Sequence, residues 1–170
     1  MIITDLQQQA FTDLLDAHQG ILIRMSRVYS RNESDRKDLF QEMVFQLWRA
    51  WPNYRGEAAA STWMYRVALN TALKFYSLLR RKKDRSMELS AISFEPSHQD
   101  TPEQQVERDS QVDRLYACIS QLPEPDRTIV LMYLEELPYR EIAQVTGLTE
   151  NHVAVKMKRA KSKLFNCLNA

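Results

Sequence analysis

The chain has 170 residues, enough for one domain or two small ones. Its net charge is only +1, from 23 Lys and Arg against 22 Asp and Glu, so no overall basic excess indicates a nucleic-acid partner. The three glycines form no phosphate-binding loop and the three histidines lack ligand spacing, so no nucleotide, metal or other cofactor is predicted.

The first predicted helix covers residues 5–30. Its apolar residues recur at helical spacing. We expect seven of them to form the core stripe: Phe11, Leu14, Leu15, Ile21, Leu22, Met25 and Val28. The acids Asp5, Asp13 and Asp16 interrupt this stretch, which predicts neither a signal peptide nor a membrane span. We therefore expect a cytoplasmic chain with no membrane insertion.

The second predicted helix follows a polar break at residues 32–35, and Ser34 or Asp35 is expected to cap it. Its apolar stripe is predicted from four residues at helical spacing: Phe40, Val44, Leu47 and Trp51. Asp38, Gln41 and Glu42 fall on or beside the opposite face. The pattern indicates an amphipathic helix with an acidic outer face.

The third predicted helix begins after a break at Pro52, Asn53 and Gly56 and runs to about residue 83, with Ser61 or Thr62 as its cap. Its apolar stripe is expected to contain Met64, Val67, Thr71, Phe75 and Leu78. The opposite stripe is polar and contains Arg66, Asn70, Lys74, Ser77 and Arg81. An amide among cations suits nucleic acid, although a merely solvated face would show the same pattern. The three tryptophans lie beside apolar stripes, which favours a role in the core over base stacking.

Charge is strongly segregated in the middle of the chain. Residues 74–85 carry a net charge of +5 and residues 149–165 carry +4, whereas residues 84–113 carry −6. Periodicity fades over residues 84–110, where Pro96 and Pro102 occur among acidic and polar residues, so this segment is predicted to be a flexible acidic linker. Its negative charge suggests that the linker has a function of its own, either repelling DNA or lying along a basic channel made for nucleic acid. A simple tether would have the same composition.

Residues 138–164 have the spacing of a helix-turn-helix. Gly147 is expected in the left-handed conformation at the turn, and Thr149 is expected to cap the second helix. That helix is predicted to bury Val153, Met157, Ala160 and Leu164. Six residues remain on or near its exposed side: Glu150, Asn151, His152, Val155, Lys156 and Arg159.

The two cysteines, Cys118 and Cys167, are far apart and lack Cys-x-x-Cys spacing. Neither a zinc site nor a disulfide framework is supported by this pattern, and reduced thiols are expected.

Several motifs in order closely resemble the extracytoplasmic-function type of bacterial RNA polymerase sigma factors. DLFQE, YRGE, STWMYRVALN and RRKK resemble the family's second conserved domain, and LPEPDRTIVLMYLEELPYREIA with the helix-turn-helix resembles its fourth. The resemblance covers about residues 10–83 and 111–167. It implies an all-α fold of two small domains joined by the linker, with boundaries at residues 1–83, 84–110 and 111–170.

The resemblance also implies partners and site residues. The acidic second helix would bind core RNA polymerase through Asp38, Gln41, Glu42 and Phe45. Promoter DNA would be bound by Arg66, Asn70, Lys74, Arg80, Arg81, Arg127, Glu150, Asn151, His152, Lys156 and Arg159. In this family the third helix opens and reads the near promoter element and the helix-turn-helix reads the far one, while a cognate anti-sigma protein is a further partner.

Two other classes of function remain open at this point. A stand-alone helix-turn-helix regulator would bind duplex operators without polymerase, but it would have no use for the acidic DLFQE helix. A nucleic-acid-processing enzyme would need clustered carboxylates for metal, and the sequence offers no such cluster outside the linker. We therefore predict a promoter-specificity subunit without catalytic residues.

Overall fold

The computed structural model describes the backbone of residues 4–89 and 107–170 and the side chains of residues 4–82 and 110–170. Its helices are α1 (Asp5–Tyr29), α2 (Glu33–Ala50), α3 (Ala60–Leu89), α4 (Glu107–Ser120), α5 (Asp126–Leu134), α6 (Tyr139–Thr146) and α7 (Glu150–Leu168). A short 3-10 segment, Trp51–Asn53, follows α2. The predicted all-α class is confirmed. The central part of the predicted linker, residues 90–106, lies outside the described residues.

Two helix starts differ from the sequence prediction. Helix α2 begins earlier than expected because the Asn32 side chain, rather than Ser34 or Asp35, accepts the Asp35 backbone N–H at 2.8 Å. Helix α3 begins at Ala60, so Thr62 lies inside the helix and is buried instead of capping it. The helix also continues to Leu89, past the predicted end near residue 83.

Helices α1, α2 and α3 pack around one apolar core. The residues that α2 buries completely are Leu39, Met43 and Leu47, so the stripe predicted from Phe40 and Val44 is displaced by one residue. The displaced residues are half-buried, because α2 packs on both α1 and α3 and therefore needs a wider apolar face than one neighbour would require. Leu78, predicted in the α3 core stripe, is 62% exposed.

The three tryptophans belong to an aromatic cluster at one end of this core. Trp48 meets the edge of Phe11 at 5.0 Å between ring centroids. Trp51 stacks on Tyr54 at 5.7 Å, and Trp63 lies 4.9 Å from the same tyrosine. All three are half-buried, which supports the structural role expected from the sequence.

Helices α6 and α7 form the predicted helix-turn-helix. Gly147 ends α6 in the left-handed conformation with a φ of 76°, where a side chain would be strained. The Thr149 side chain caps α7 by accepting the His152 backbone N–H at 3.2 Å. The residues buried by α7 are the four expected ones: Val153, Met157, Ala160 and Leu164.

The expectation for the cysteines is wrong. Cys118 on α4 and Cys167 near the end of α7 form a disulfide, with their Cα atoms 6.0 Å apart. Sequence spacing gave no sign of it, because the two residues are 49 positions apart and only the packing of α7 on α4 brings them together. The bond ties the C-terminal end of α7 to α4.

The two groups of helices, α1–α3 and α4–α7, also contact each other along a seam. The Tyr29 hydroxyl of α1 donates a hydrogen bond to the Glu124 carboxylate and lies 3.0 Å from the Thr128 hydroxyl. Burial, reinforced by the Glu124 carboxylate, raises the pKa of Tyr29 above its ordinary value. The Arg127 guanidinium lies 5.2 Å from the ring centroids of both Tyr29 and Tyr76.

Candidate functional site

The outer face of α2 carries the four residues predicted to bind a protein. Asp38, Gln41 and Glu42 are exposed, and Phe45 is 55% exposed although it is a large apolar side chain. An exposed aromatic beside carboxylates is typical of a protein-binding surface, since it gains from losing water while the charges select the partner. We call these four residues the α2 face.

Grooves flank the α2 face on both sides. The first, about 950 Å³, lies between α2 and α3, and its lining includes Val67, Phe75 and Leu78. The second, about 540 Å³, lies between α1 and α2 and is lined mostly by apolar residues such as Phe11 and Trp48. Phe45 and Gln41 line both grooves. Helix α2 is therefore a ridge between a groove of mixed polar and apolar lining and a mostly apolar groove.

The polar stripe predicted on α3 is exposed along its whole length. Arg66, Asn70, Lys74, Ser77 and Arg81 are all exposed, as is Arg80 beside them. Asn70 and Lys74 also line the groove between α2 and α3, opposite Asp38 and Glu42. The groove thus separates a face with carboxylates from a face with an amide and a cation.

The start of the α3 stripe already has a partner in the second group of helices. The Arg66 guanidinium donates to the Gln144 backbone carbonyl of α6 at 3.4 Å. One turn earlier, the buried Thr62 hydroxyl donates to the Glu141 carboxylate at 3.4 Å. Helix α6, the first helix of the helix-turn-helix, therefore lies against the beginning of α3.

Helix α7 presents an exposed side with a different chemistry. Glu150, Asn151, His152 and Arg159 are exposed, as the sequence predicted. Lys156 is not on the centre of this side. Its ammonium lies 3.7 Å from the Asp126 carboxylate, and the nearly buried Asp126 also pairs with Lys163 at 3.7 Å.

Of two residues at the centre of the exposed side of α7, Lys158 was not identified from the sequence, whereas Val155 was expected to be exposed but was not predicted to bind DNA. Lys158 is fully on the exposed side, seven positions after Asn151, a spacing that could have identified it. Val155 is 49% exposed, four positions after Asn151 and four before Arg159. We define the α7 outer face by its exposed residues at this spacing: Asn151, Val155, Lys158, Arg159 and Ser162.

Arg127 belongs neither to the α3 stripe nor to the α7 outer face. It is only 7% exposed, and its guanidinium donates to the Leu122 carbonyl at 3.1 and 2.9 Å. The prediction of a DNA contact for Arg127 is therefore at odds with its burial between the two groups of helices. The sequence could not show this, because an arginine near the start of a helix can be either buried or exposed without any difference in the local pattern.

In the part of the chain whose side chains are described, no group of three or more His, Cys, Asp or Glu residues has the arrangement of a metal site. None of the described helices is both long enough and apolar enough to cross a membrane.

Comparisons with known proteins match both groups of helices. Residues 14–85 match the family model described as Sigma-70 region 2, and residues 113–164 match the model described as Sigma-70, region 4. The first match spans most of α1–α3 and includes the α2 face and the α3 stripe. The second spans the helix-turn-helix.

Curated relatives align over nearly the whole chain. The ECF RNA polymerase sigma-E factor of Haemophilus influenzae is 30% identical over 168 residues, covering 94% of this chain and 87% of the relative. The RNA polymerase sigma-H factor of Pseudomonas aeruginosa is 29% identical over 169 residues, covering 95% and 87%.

Solved structures share the fold. CnrH in complex with the cytosolic domain of CnrY has a TM-score of 0.68 at 20% identity, covering 95% of this chain and 89% of that one. The sigma factor RpoE in complex with the anti-sigma factor NepR from Bartonella quintana has a TM-score of 0.65 at 16% identity, covering 96% of both chains.

Proposed function

Because the chain belongs to the extracytoplasmic-function sigma factors of RNA polymerase, we propose that the α2 face binds the core enzyme and that α3 and α7 bind promoter DNA. The chain is a subunit that directs promoter-specific transcription initiation. It contributes no catalytic residues, acts in the cytoplasm, and has a cognate anti-sigma protein as a further partner. Residues 1–83 and 111–170 are the two working domains, and residues 84–110 connect them.

The observation that carries the polymerase contact is the exposed Phe45 on a ridge between two grooves, of which the one facing α1 is mostly apolar. Asp38 and Glu42 stand beside it and can form charge-assisted bonds to an arginine-bearing surface. Burying Phe45 supplies affinity, while the carboxylates accelerate encounter with a basic partner. The apolar and the electrostatic contributions come from different side chains of α2, so substitutions can separate them.

Binding of the full-length chain to core polymerase tests this contact. Phe45→Ala is expected to weaken binding by at least about tenfold, mainly through faster dissociation. Asp38→Ala with Glu42→Ala is expected to slow association and to reduce its salt dependence. Phe165→Ala, which removes a phenylalanine that is 67% exposed on α7, and Asp13→Ala with Asp16→Ala on α1 are the matched controls. Binding by both test variants at the parental rates would contradict the assignment.

The α3 stripe is proposed to hold the displaced single strand of the opened promoter. Asn70 offers both hydrogen-bond donors and an acceptor to a base edge, and Lys74 and Arg81 offer charge to phosphates. Unstacking a base costs a few kcal/mol, so the protein must return that energy through contacts to the base. The exposed amide among cations is the feature that supports base reading over simple phosphate attraction.

Permanganate footprinting of the holoenzyme on a target promoter tests the role of Asn70. Asn70→Ala is expected to reduce thymine reactivity in the melted segment and to relax the base preference there, by about 1–3 kcal/mol of discrimination. Gln19→Ala, an exposed amide on α1, is the control. Unchanged melting together with unchanged base preference would remove Asn70 from the strand-binding surface.

The contact of Arg66 with α6 adds a condition to this proposal. The Arg66 guanidinium cannot donate to the Gln144 carbonyl and to a phosphate with the same N–H group. Strand binding by the first turns of α3 would therefore compete with this contact to α6. We propose that the holoenzyme holds the two domains farther apart than they lie in the free chain.

A further inference from the structure

The centre of the α7 outer face contains an apolar side chain where the neighbouring positions are polar or charged. Val155 is 49% exposed and occupies the sixth position of α7. Asn151 precedes it by one helical turn and Arg159 follows it by one turn. A single exposed valine is ordinary on a protein surface, so its position in this row is what needs an explanation.

Helical propensity gives no reason for a valine at this position. β-Branched residues lose side-chain freedom in a helix and are poorer helix formers than alanine or lysine. Val155 also gains little from burial, since about half of its surface remains in water. The folded chain therefore gives little reason for a valine here, and a partner that buries it would supply one.

The chemistry of duplex DNA supplies a matching partner. In the major groove the C5-methyl group of thymine is the apolar feature of the base edges, whereas adenine offers an acceptor and a donor that suit an amide. The N-terminal half of the second helix of a helix-turn-helix is the part that reaches base edges. Asn151 and Val155 both lie in that half of α7.

We propose that Val155 is a specificity-determining residue that packs against a thymine methyl group in the far promoter element, beside an adenine read by Asn151. This rests on the proposed function of α7. The flexible ends of Lys158 and Arg159 then flank the methyl contact and reach phosphates, which adds affinity without sequence information. The α7 outer face thus combines one apolar and one amide side chain that contact bases with two cations that contact phosphates.

Deoxyuridine substitution tests the contact atom by atom. Duplexes enriched by the holoenzyme from a random pool are resynthesised with deoxyuridine in place of each thymine in turn, which removes only the methyl group. Replacement at one thymine of the far element is expected to weaken wild-type binding about fourfold, the loss typical of one buried methyl group. Val155→Ala holoenzyme should bind the parental duplex about fourfold more weakly and should be insensitive to deoxyuridine at that thymine.

Val112→Ala is the matched control, because Val112 is 43% exposed on α4 and lies away from the α7 outer face. This variant should respond to deoxyuridine as the wild type does. Equal sensitivity of Val155→Ala and wild type, or no sensitivity at any thymine, would overturn the proposal. Scrambling the whole far element separates the two levels of inference: if wild-type binding does not weaken, the proposed function of α7 fails, whereas weakening without a methyl effect overturns only the role of Val155.

Discussion

The two helices proposed to bind DNA, α3 and α7, differ in what their polar side chains already contact. The α3 stripe begins with Arg66, whose guanidinium is bonded to the Gln144 carbonyl of the other group of helices. The α7 outer face has no such cover among the described residues, and only its flank is engaged, where Asp126 pairs with Lys156. Helix α3 thus contacts the second group of helices, whereas the α7 outer face is open to solvent.

If the two helices bind DNA as proposed, this difference predicts that the free chain is not equally prepared for the two promoter elements. Duplex binding by α7 would need no rearrangement of the seam, because its outer face is exposed. Strand binding by α3 would compete with an intramolecular bond and with the contact of Thr62 with Glu141. We therefore expect changes at the seam to affect promoter opening more than duplex binding.

The largest effect should come from locking the two groups of helices together. A free chain with Arg66→Cys and Gln144→Cys, joined by a short cleavable bis-maleimide, is expected to open promoters at least about tenfold less well, because the bound α6 would keep the first turns of α3 covered. The same locked chain should retain duplex binding through α7. Gel-shift and permanganate assays on one preparation measure both.

Chains with only one of the two introduced cysteines, treated with the same reagent, control for modification, and cleavage of the bis-maleimide should restore promoter opening. Normal opening by the locked chain would show that α6 does not obstruct α3.

The next largest effect should follow from removing the disulfide. Cys118 and Cys167 enclose 49 positions of sequence, and closing a loop of this size stabilises a domain by about 4 kcal/mol in the chain-entropy treatment. Cys118→Ala with Cys167→Ala is expected to lower the unfolding midpoint and to weaken α7 binding more than α3 function. Chemical unfolding with and without a dithiol reductant measures the change.

The parental chain should respond to the reductant and the double variant should not. If the reductant leaves the parental midpoint unchanged, the bond does not stabilise the domain.

A smaller loss is expected from Tyr29→Phe at the seam. Removing the hydroxyl takes one hydrogen-bond partner from Glu124 and Thr128, which stay bonded to each other, so the expected cost is about 0.5–1.5 kcal/mol. Thermal unfolding measures the loss, with Tyr133→Phe, a tyrosine 40% exposed, as the control. Equal midpoints for the two variants would show that the Tyr29 hydroxyl contributes nothing to the seam.

The same substitution should change the response to alkaline pH. Burial raises the pKa of Tyr29, so above the unfolded value of about 10 the folded chain keeps a proton that the unfolded chain releases. Stability should therefore fall as pH rises beyond about 10, and Tyr29→Phe should reduce the slope of that fall. Tyr65, whose pKa burial also raises, keeps part of the slope in the variant. An unchanged slope would mean that the pKa of Tyr29 is the same in the folded and unfolded chain.

The smallest effect is expected from Asp126→Asn beside α7. This change releases Lys156 and Lys163 from their shared carboxylate, so non-specific duplex affinity should rise about two- to threefold with a steeper salt dependence. Binding to a random-sequence duplex at several salt concentrations measures it. Glu136→Gln removes one exposed negative charge from the neighbouring turn and controls for net charge. A rise of the same size in both variants would show that net charge, not the ion pairs, is responsible.

Local chemistry in the sequence was sufficient for much of the fold. Gly147 and Thr149 fix the turn and the start of α7 through backbone conformation and one hydrogen bond, and both are visible without tertiary structure. The exposure of the α3 stripe likewise follows from its spacing, since residues three or four positions apart share one side of a helix. These features involve residues within one or two turns of each other.

Contacts between distant segments were decided only by tertiary structure. The burial of Arg127, the pairing of Cys118 with Cys167 and the bond from Arg66 to α6 all join residues whose spacing carries no signal. The same arginine can serve a phosphate, a carbonyl or an aromatic ring, because its chemistry fits all three. Which of these it meets depends on how the helices pack, and that is set by the whole core rather than by the residues around it.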